Sequence, residues 1–244
     1  MCYELAKILV VRLEQGLVNG LLGKYYKWTD TSPPEDFSKL ELVASRIDPH
    51  VNFVWWDKPA PDVPADKFAV EWTGYLVVET PGYYRFFIEV DDGGRLWINN
   101  ELLIDAWKEQ PPTVYHSDIV ELSIGYHPIK LRFFNNEVFA IVRLGWITPD
   151  GSAEIIPSKN LATRTGDKIV IKGLPKGYGV ELWSGELLGK TIANEDNIAE
   201  ISASELEVPI DAYFKVYDDK GKLIGETPII RNVWGGDVFQ LSVT

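Results

Sequence analysis

Tyr83–Trp107, YYRFFIEVDDGGRLWINNELLIDAW, is the stretch on which the reading of the whole chain turns. Tyr84, Phe86, Ile88 and Val90 alternate with Tyr83, Arg85, Phe87 and Glu89, a period of two with one strongly apolar face. Asp91-Asp92-Gly93-Gly94 then interrupts the strand, because glycine tolerates positive φ and aspartate favours turns. Arg95–Ile98 resumes a strand, Asn99-Asn100 fits a two-residue hairpin turn, and Leu102–Ile104 pairs back. Two adjacent carboxylates therefore sit on a tight loop between rigid strands. An ordinary solvated turn explains that run by itself. The placement also suits a hard cation such as calcium, which takes six to eight oxygen ligands.

Outward from this stretch lies a series of landmarks. Before it come Gly20-Leu21-Leu22-Gly23-Lys24-Tyr25-Tyr26, Arg46-Ile47-Asp48-Pro49, Val51–Trp55, Phe68–Tyr75 and Gly82-Tyr83-Tyr84. Within and after it come Asp91-Asp92-Gly93, Arg95–Ile98, Ile104–Trp107, Gly125–Ile129 and Leu144-Gly145-Trp146. In this order, from Gly20 to Leu161, the chain resembles the protective-antigen domain family. That β-sandwich module occurs in anthrax protective antigen and yeast flocculin adhesins, and is inserted in some β-glucosidases. The resemblance implies calcium held by Asp91 and Asp92 across a non-proline cis peptide. It implies further oxygen from a later loop, where Asn135 and Asn136 are the matching candidates and Glu137 an additional one. A plain Asn-Glu hairpin turn is the competing explanation of that loop. In the flocculins the second loop is longer and shapes the sugar pocket. Trp107 ends a strand beside the polar Lys108–Pro112 loop. It either packs structurally or stacks on a sugar ring. Trp55, Trp72, Trp97 and Trp146 lie in strand patterns and read as core.

Composition bounds the rest. With 244 residues, 45% of them hydrophobic and 12% aromatic, the chain has material for two cores. Its net charge of −12 argues against nucleic acid, whose phosphates need clustered Lys and Arg. A single cysteine, Cys2, excludes an internal disulfide framework and a several-cysteine zinc site. Met1 is the sole methionine and glutamine is scarce, a composition expected of a heat-adapted source.

Residues 1–18 lack the uninterrupted apolar run and small-residue cleavage site of a signal peptide, and nothing is long enough to span a membrane. Leu5, Ile8, Leu9 and Leu13 fall near one helical face, so a short N-terminal helix is expected. It would pack on its own domain or serve a homo-oligomer or larger assembly. From Asn19 short strands and turns alternate, with the Pro-rich loop 57–66 between them. Ala162–Gly166 reads as a linker. Further short strands follow, marked off by Pro175-Lys176-Gly177, Ser184-Gly185 and Asp218–Gly221; through Gly173-Leu174-Pro175-Lys176-Gly177 and Tyr213-Phe214-Lys215-Val216-Tyr217 they resemble the immunoglobulin-like domains of surface proteins. The expected fold is therefore all-β. A helix over 1–18 precedes a protective-antigen-type β-sandwich over 19–163 and an immunoglobulin-like sandwich over 166–244.

Catalytic constellations are missing from the sequence. His50, His116 and His127 are scattered, and neither a Gly-x-Ser-x-Gly elbow nor a phosphate-binding loop occurs. Adjacent aspartates on an exposed turn lack the apolar surroundings that tune a glycosidase acid. The function expected is a non-catalytic, extracellular or cell-surface module that binds a glycan or cell-surface polysaccharide through calcium. The alternatives are a structural subunit of a surface layer, filament or virion, and an accessory domain of a larger hydrolase.

Overall fold

The computed structural model describes residues 5–30, 32–206 and 209–244. Among these the chain is strand and turn, with 3-10 turns at Phe37–Lys39 and Ser158–Asn160 and no α-helix. It opens with β1 (Ile8–Glu14), β2 (Leu17–Asn19), β3 (Leu21–Lys27), β4 (Glu41–Asp48) and β5 (Asn52–Trp55). The middle holds β6 (Phe68–Val78), β7 (Gly82–Asp91), β8 (Gly93–Ile98), β9 (Glu101–Ala106) and β10 (Thr113–Leu122). Next come β11 (Gly125–Asn135), β12 (Ala140–Ile147), β13 (Ala153–Ile155) and β14 (Leu161–Arg164). The last strands are β15 (Lys168–Lys172), β16 (Gly179–Ser184), β17 (Glu186–Ile192), β18 (Ile198–Ser202), β19 (Ile210–Tyr217), β20 (Leu223–Glu226), β21 (Ile230–Val233) and β22 (Val238–Val243).

Two compact units result. One is Asn19–Thr163; the other joins residues up to Val18 with Arg164–Thr244. In the first, one sheet runs β14-β6-β11-β8-β9, with β3 beside β6 and β4 beside β3. The other runs β10-β7-β12-β13, with β5 on β12. Both sheets feed one core. Phe86, Ile88 and Val90 of β7 meet Trp72 of β6 and Leu131 and Phe133 of β11 there. The alternation read in Tyr83–Val90 is the reason, since every second side chain of β7 enters that core. Asn99 and Asn100 both have positive φ, as a tight two-residue hairpin between Ile98 and Glu101 requires. A buried carboxylate anchors the other end of the sheet: Asp48 accepts from the Tyr25 hydroxyl (2.6 Å) and Trp72 Nε1 (2.7 Å) and pairs with Arg46 (2.7 Å).

The second unit has a sheet β1-β22-β15-β18 and a sheet β17-β16-β19-β20, with β21 on β19. Ile8, Ile169, Ile171, Phe214, Val216, Phe239 and Leu241 fill its core. Here the expected N-terminal helix is overturned. Ile8–Glu14 is an edge strand, antiparallel to β22 from Ile8↔Val243 to Glu14↔Val238. Met1–Glu4 lie outside the described residues. Leu5, Ile8, Leu9 and Leu13 fit a helical stripe by spacing, but Ile8, Val10 and Val11 are β-branched and favour the extended chain. Ile8 is 1% exposed while Leu9 is 45% and Val11 57% exposed, the two-sided division of a strand. A partner at the far end of the sequence decided the outcome. Assembly through an N-terminal helix loses its basis with the helix. Asp237 fastens this edge, accepting from the Gly16 N–H (2.6 Å) and the Trp234 N–H (2.9 Å) and pairing with Arg12 (3.3 Å).

Candidate functional site

β7 ends at Asp91 and β8 begins at Gly93, so Asp92 occupies the corner between the two sheets of the first unit. The Asp91–Asp92 peptide bond is cis. Gly93 has to be glycine for a packing reason: a Cβ there would stand 2.2 Å from the ring of Phe134. Across β11–β8 Phe134 faces Gly93, which sets the end of β11 level with the acidic corner.

Asp92 is held from two later loops. Its Oδ2 accepts the Asn136 N–H (2.7 Å) and its Oδ1 the Gln110 N–H (3.3 Å), while its carbonyl accepts from Gln110 Nε2 (3.0 Å). Tyr115 donates to Gln110 Oε1 at 2.6 Å and fixes that amide in turn. Burial pushes the Asp92 carboxyl up and the charges of Glu109 and Glu137 add to it, against the lowering effect of its two N–H donors. The Asp91 carboxyl is pushed up to about 6, first by burial and then by the neighbouring Asp92. Two carboxylates partly withdrawn from water, with the negative charges of Glu109 and Glu137 acting on Asp92, make a site that gains from an added cation.

The residues singled out in the sequence divide by what they do here. Asn135 is fully buried; its Nδ2 donates to the Ala65 carbonyl at 3.5 Å, and its Oδ1 is buried without a hydrogen-bond partner. A buried carbonyl oxygen left unpaired costs free energy unless something else satisfies it. Asn136 gives Asp92 its backbone N–H, and its side-chain Oδ1 accepts from Lys67 Nζ (3.1 Å), so its amide faces a cation already in the protein. Glu137 is exposed and acts on Asp92 through its charge. Trp107 is half-buried, its ring 4.8 Å from Phe134 and 6.1 Å from Phe37, with the Arg95 guanidinium 4.9 Å above it. Gln110, Tyr115 and Lys67 were not anticipated. They sit in a polar loop, on an edge strand and after a Pro-rich loop, where no residue pattern distinguishes them.

Among the described residues no set of three or more His, Cys, Asp and Glu side chains is gathered as metal ligands. Calcium draws on a wider set of donors, since it accepts carboxylates, amide and backbone carbonyls and water together. Asp91, Asp92 and the unpaired Asn135 Oδ1 are donors of that kind.

A family model described as the PA14 domain matches residues 17–160, more than half of the chain. The chain belongs to the PA14 domain family. The protective-antigen resemblance read from the sequence is this PA14 relationship. Anti-sigma-I factor RsgI3 of Acetivibrio thermocellus is 35% identical over 156 residues, covering 63% of this chain. This chain spans only 23% of the length of that relative. Among solved structures, the PA14 sugar-binding domain from RTX adhesin is similar at a TM-score of 0.53 and 18% identity. The match covers 60% of this chain and 99% of that one. An anti-sigma factor domain-containing protein from Clostridium clariflavum matches at a TM-score of 0.53 and 21% identity, covering 91% of this chain and 88% of that one. At such identities the likeness is one of fold. No helix of the described residues is long and apolar enough to cross a membrane.

Proposed function

We propose that the PA14 unit is a non-catalytic, calcium-dependent carbohydrate-binding module displayed outside the cell. The observation that carries this reading is the unpaired, fully buried Asn135 Oδ1, on the residue between Phe134, which faces Gly93, and Asn136, whose N–H bonds Asp92. Asp91, Asp92 and Asn135 would hold the ion; Gln110 and the Asn136 backbone keep the Asp92 carboxylate oriented. Bound calcium supplies coordination positions at which sugar hydroxyls replace water. Glu109 and Glu137 make the surroundings more negative, which draws cations in. A family that includes a described sugar-binding domain supports the reading.

Each unit has two sheets over one core, which supports two β-sandwiches, the second immunoglobulin-like. A second functional reading is favoured by the 35% identity to RsgI3: the chain would be the ligand-sensing part of a regulator of anti-sigma type. The two are compatible, because a sensor needs something to sense. The structural-subunit reading binds no glycan through this corner. The test is a panel of soluble polysaccharides screened with calcium and again with excess chelator. Retardation by at least one polysaccharide only when calcium is present is the expected result. Binding that ignores the chelator would sink the metal; the absence of all binding would sink the carbohydrate.

A further inference from the structure

Trp56 follows β5 directly and is 79% exposed, more than any other large apolar residue among those described. A lone exposed aromatic is ordinary. This one is backed by a second ring, Phe139, at 4.3 Å between centroids and 48°. Strand register shows what the pair adjoins. Ile141 lies opposite Val54 on β5 and opposite Asp91 on β7. Residues directly opposite in a sheet share a face, so Asp91, Ile141 and Val54 form one row. Val90 and Val142, their strand neighbours, are buried in the core, so the row lies on the outer face. Trp56 is two residues on from Val54, and Phe139 two residues before Ile141. The rings therefore make the next row of that same face, on the β12 and β5 side, with β12 lying between Trp56 and Asp91.

The segment that carries Phe139 is fastened to the carboxylates. The Asn136 N–H donates to Asp92 Oδ2 (2.7 Å), the Lys67 N–H to the Asn136 carbonyl (2.8 Å), and the Val138 N–H to Asp66 Oδ1 (2.7 Å). An acidic corner and an apolar platform thus share one face of the sheet, tied together through the segment before β12. A sugar ring has that same division, with hydroxyl edges and an apolar C–H face, and a chain of sugars can meet both parts at once.

We propose that Trp56, backed by Phe139, is an aromatic subsite that stacks on the sugar next to the one anchored at Asp91 and Asp92. The site then prefers oligosaccharides to monosaccharides. This rests on the carbohydrate reading above. The test uses the full chain with calcium. Affinity electrophoresis against xylan, hydroxyethylcellulose, galactan and mannan identifies a ligand, and titration with its mono- and trisaccharide follows. Trp56→Ala should weaken the trisaccharide about tenfold and leave the monosaccharide and calcium within about twofold. Asp92→Asn should weaken both sugars, and Trp56→Phe should keep most of the trisaccharide affinity. If Trp56→Ala leaves trisaccharide binding unchanged while Asp92→Asn abolishes it, the subsite is wrong and the carbohydrate reading stands. If the wild type binds none of the four polysaccharides, both fall together. If Trp56→Ala instead turns a dimer into a monomer by light scattering and sugar binding is unaltered, the platform belongs to a second copy and the subsite is refuted.

Discussion

Asp91 and Asp92 carry most of the chemistry, and their burial has a measurable sign. The Asp91 carboxyl is raised to about 6 from an ordinary 3.8. Between those values the folded chain holds a proton that the unfolded chain has released. The metal-free protein therefore has the full contribution of Asp91 below pH 4 and loses it as the pH rises through about 6. Thermal melts of chelated protein should show this fall, and Asp91→Asn should remove the part due to Asp91. Calcium affinity should move the other way, declining as acidification through pH 6 protonates Asp91; titrations at pH 5 and 7.5 check this. Gly93 makes a second prediction. Its Cβ-free approach to Phe134 leaves no space for a methyl group, so Gly93→Ala should destabilise the unit by about 1–3 kcal/mol in denaturant melts. The paired aspartates were legible because charge and turn chemistry are local properties. Gln110 was not, since its role depends on the loop it occupies returning to Asp92, which no spacing records.

β1 shows where reading by pattern fails. Its apolar spacing satisfies a helix and a strand almost equally, and its actual partner β22 is more than two hundred residues away. Tyr83–Val90, by contrast, is long, strictly alternating and paired with close neighbours in the chain, so its period settles its form. The strand assignment of β1 separates two adjacent residues sharply. Ile8→Ala should cost about 2–5 kcal/mol by opening a cavity in the second core, while Leu9→Ala, on the exposed side, should stay within about 0.5 kcal/mol. A helical stripe predicts comparable losses at both positions, so chemical denaturation of the two variants distinguishes the forms.

The two units draw on the sequence differently. Asn19–Thr163 is continuous, whereas the other unit needs residues from both ends of the chain. A fragment of residues 19–163 should melt cooperatively by itself. One of residues 164–244 lacks β1, with Ile8 and the Arg12–Asp237 pair, and should not unless a peptide of residues 5–18 is added. Sequence landmarks reached the continuous unit because they fall in order along it, and missed the other unit's edge strand for the same reason. Across the whole chain, the central claim is that the acidic corner of the PA14 unit is a calcium anchor. The most direct measurement is calorimetric titration of chelated wild type and Asp92→Asn with calcium, with melting temperatures recorded alongside. Wild type should bind calcium and gain stability, about 2.7 kcal/mol at a hundredfold excess over Kd, and the variant should bind at least about tenfold more weakly with its fold intact. A wild type that releases no heat and melts at the same temperature with and without calcium would contradict the claim.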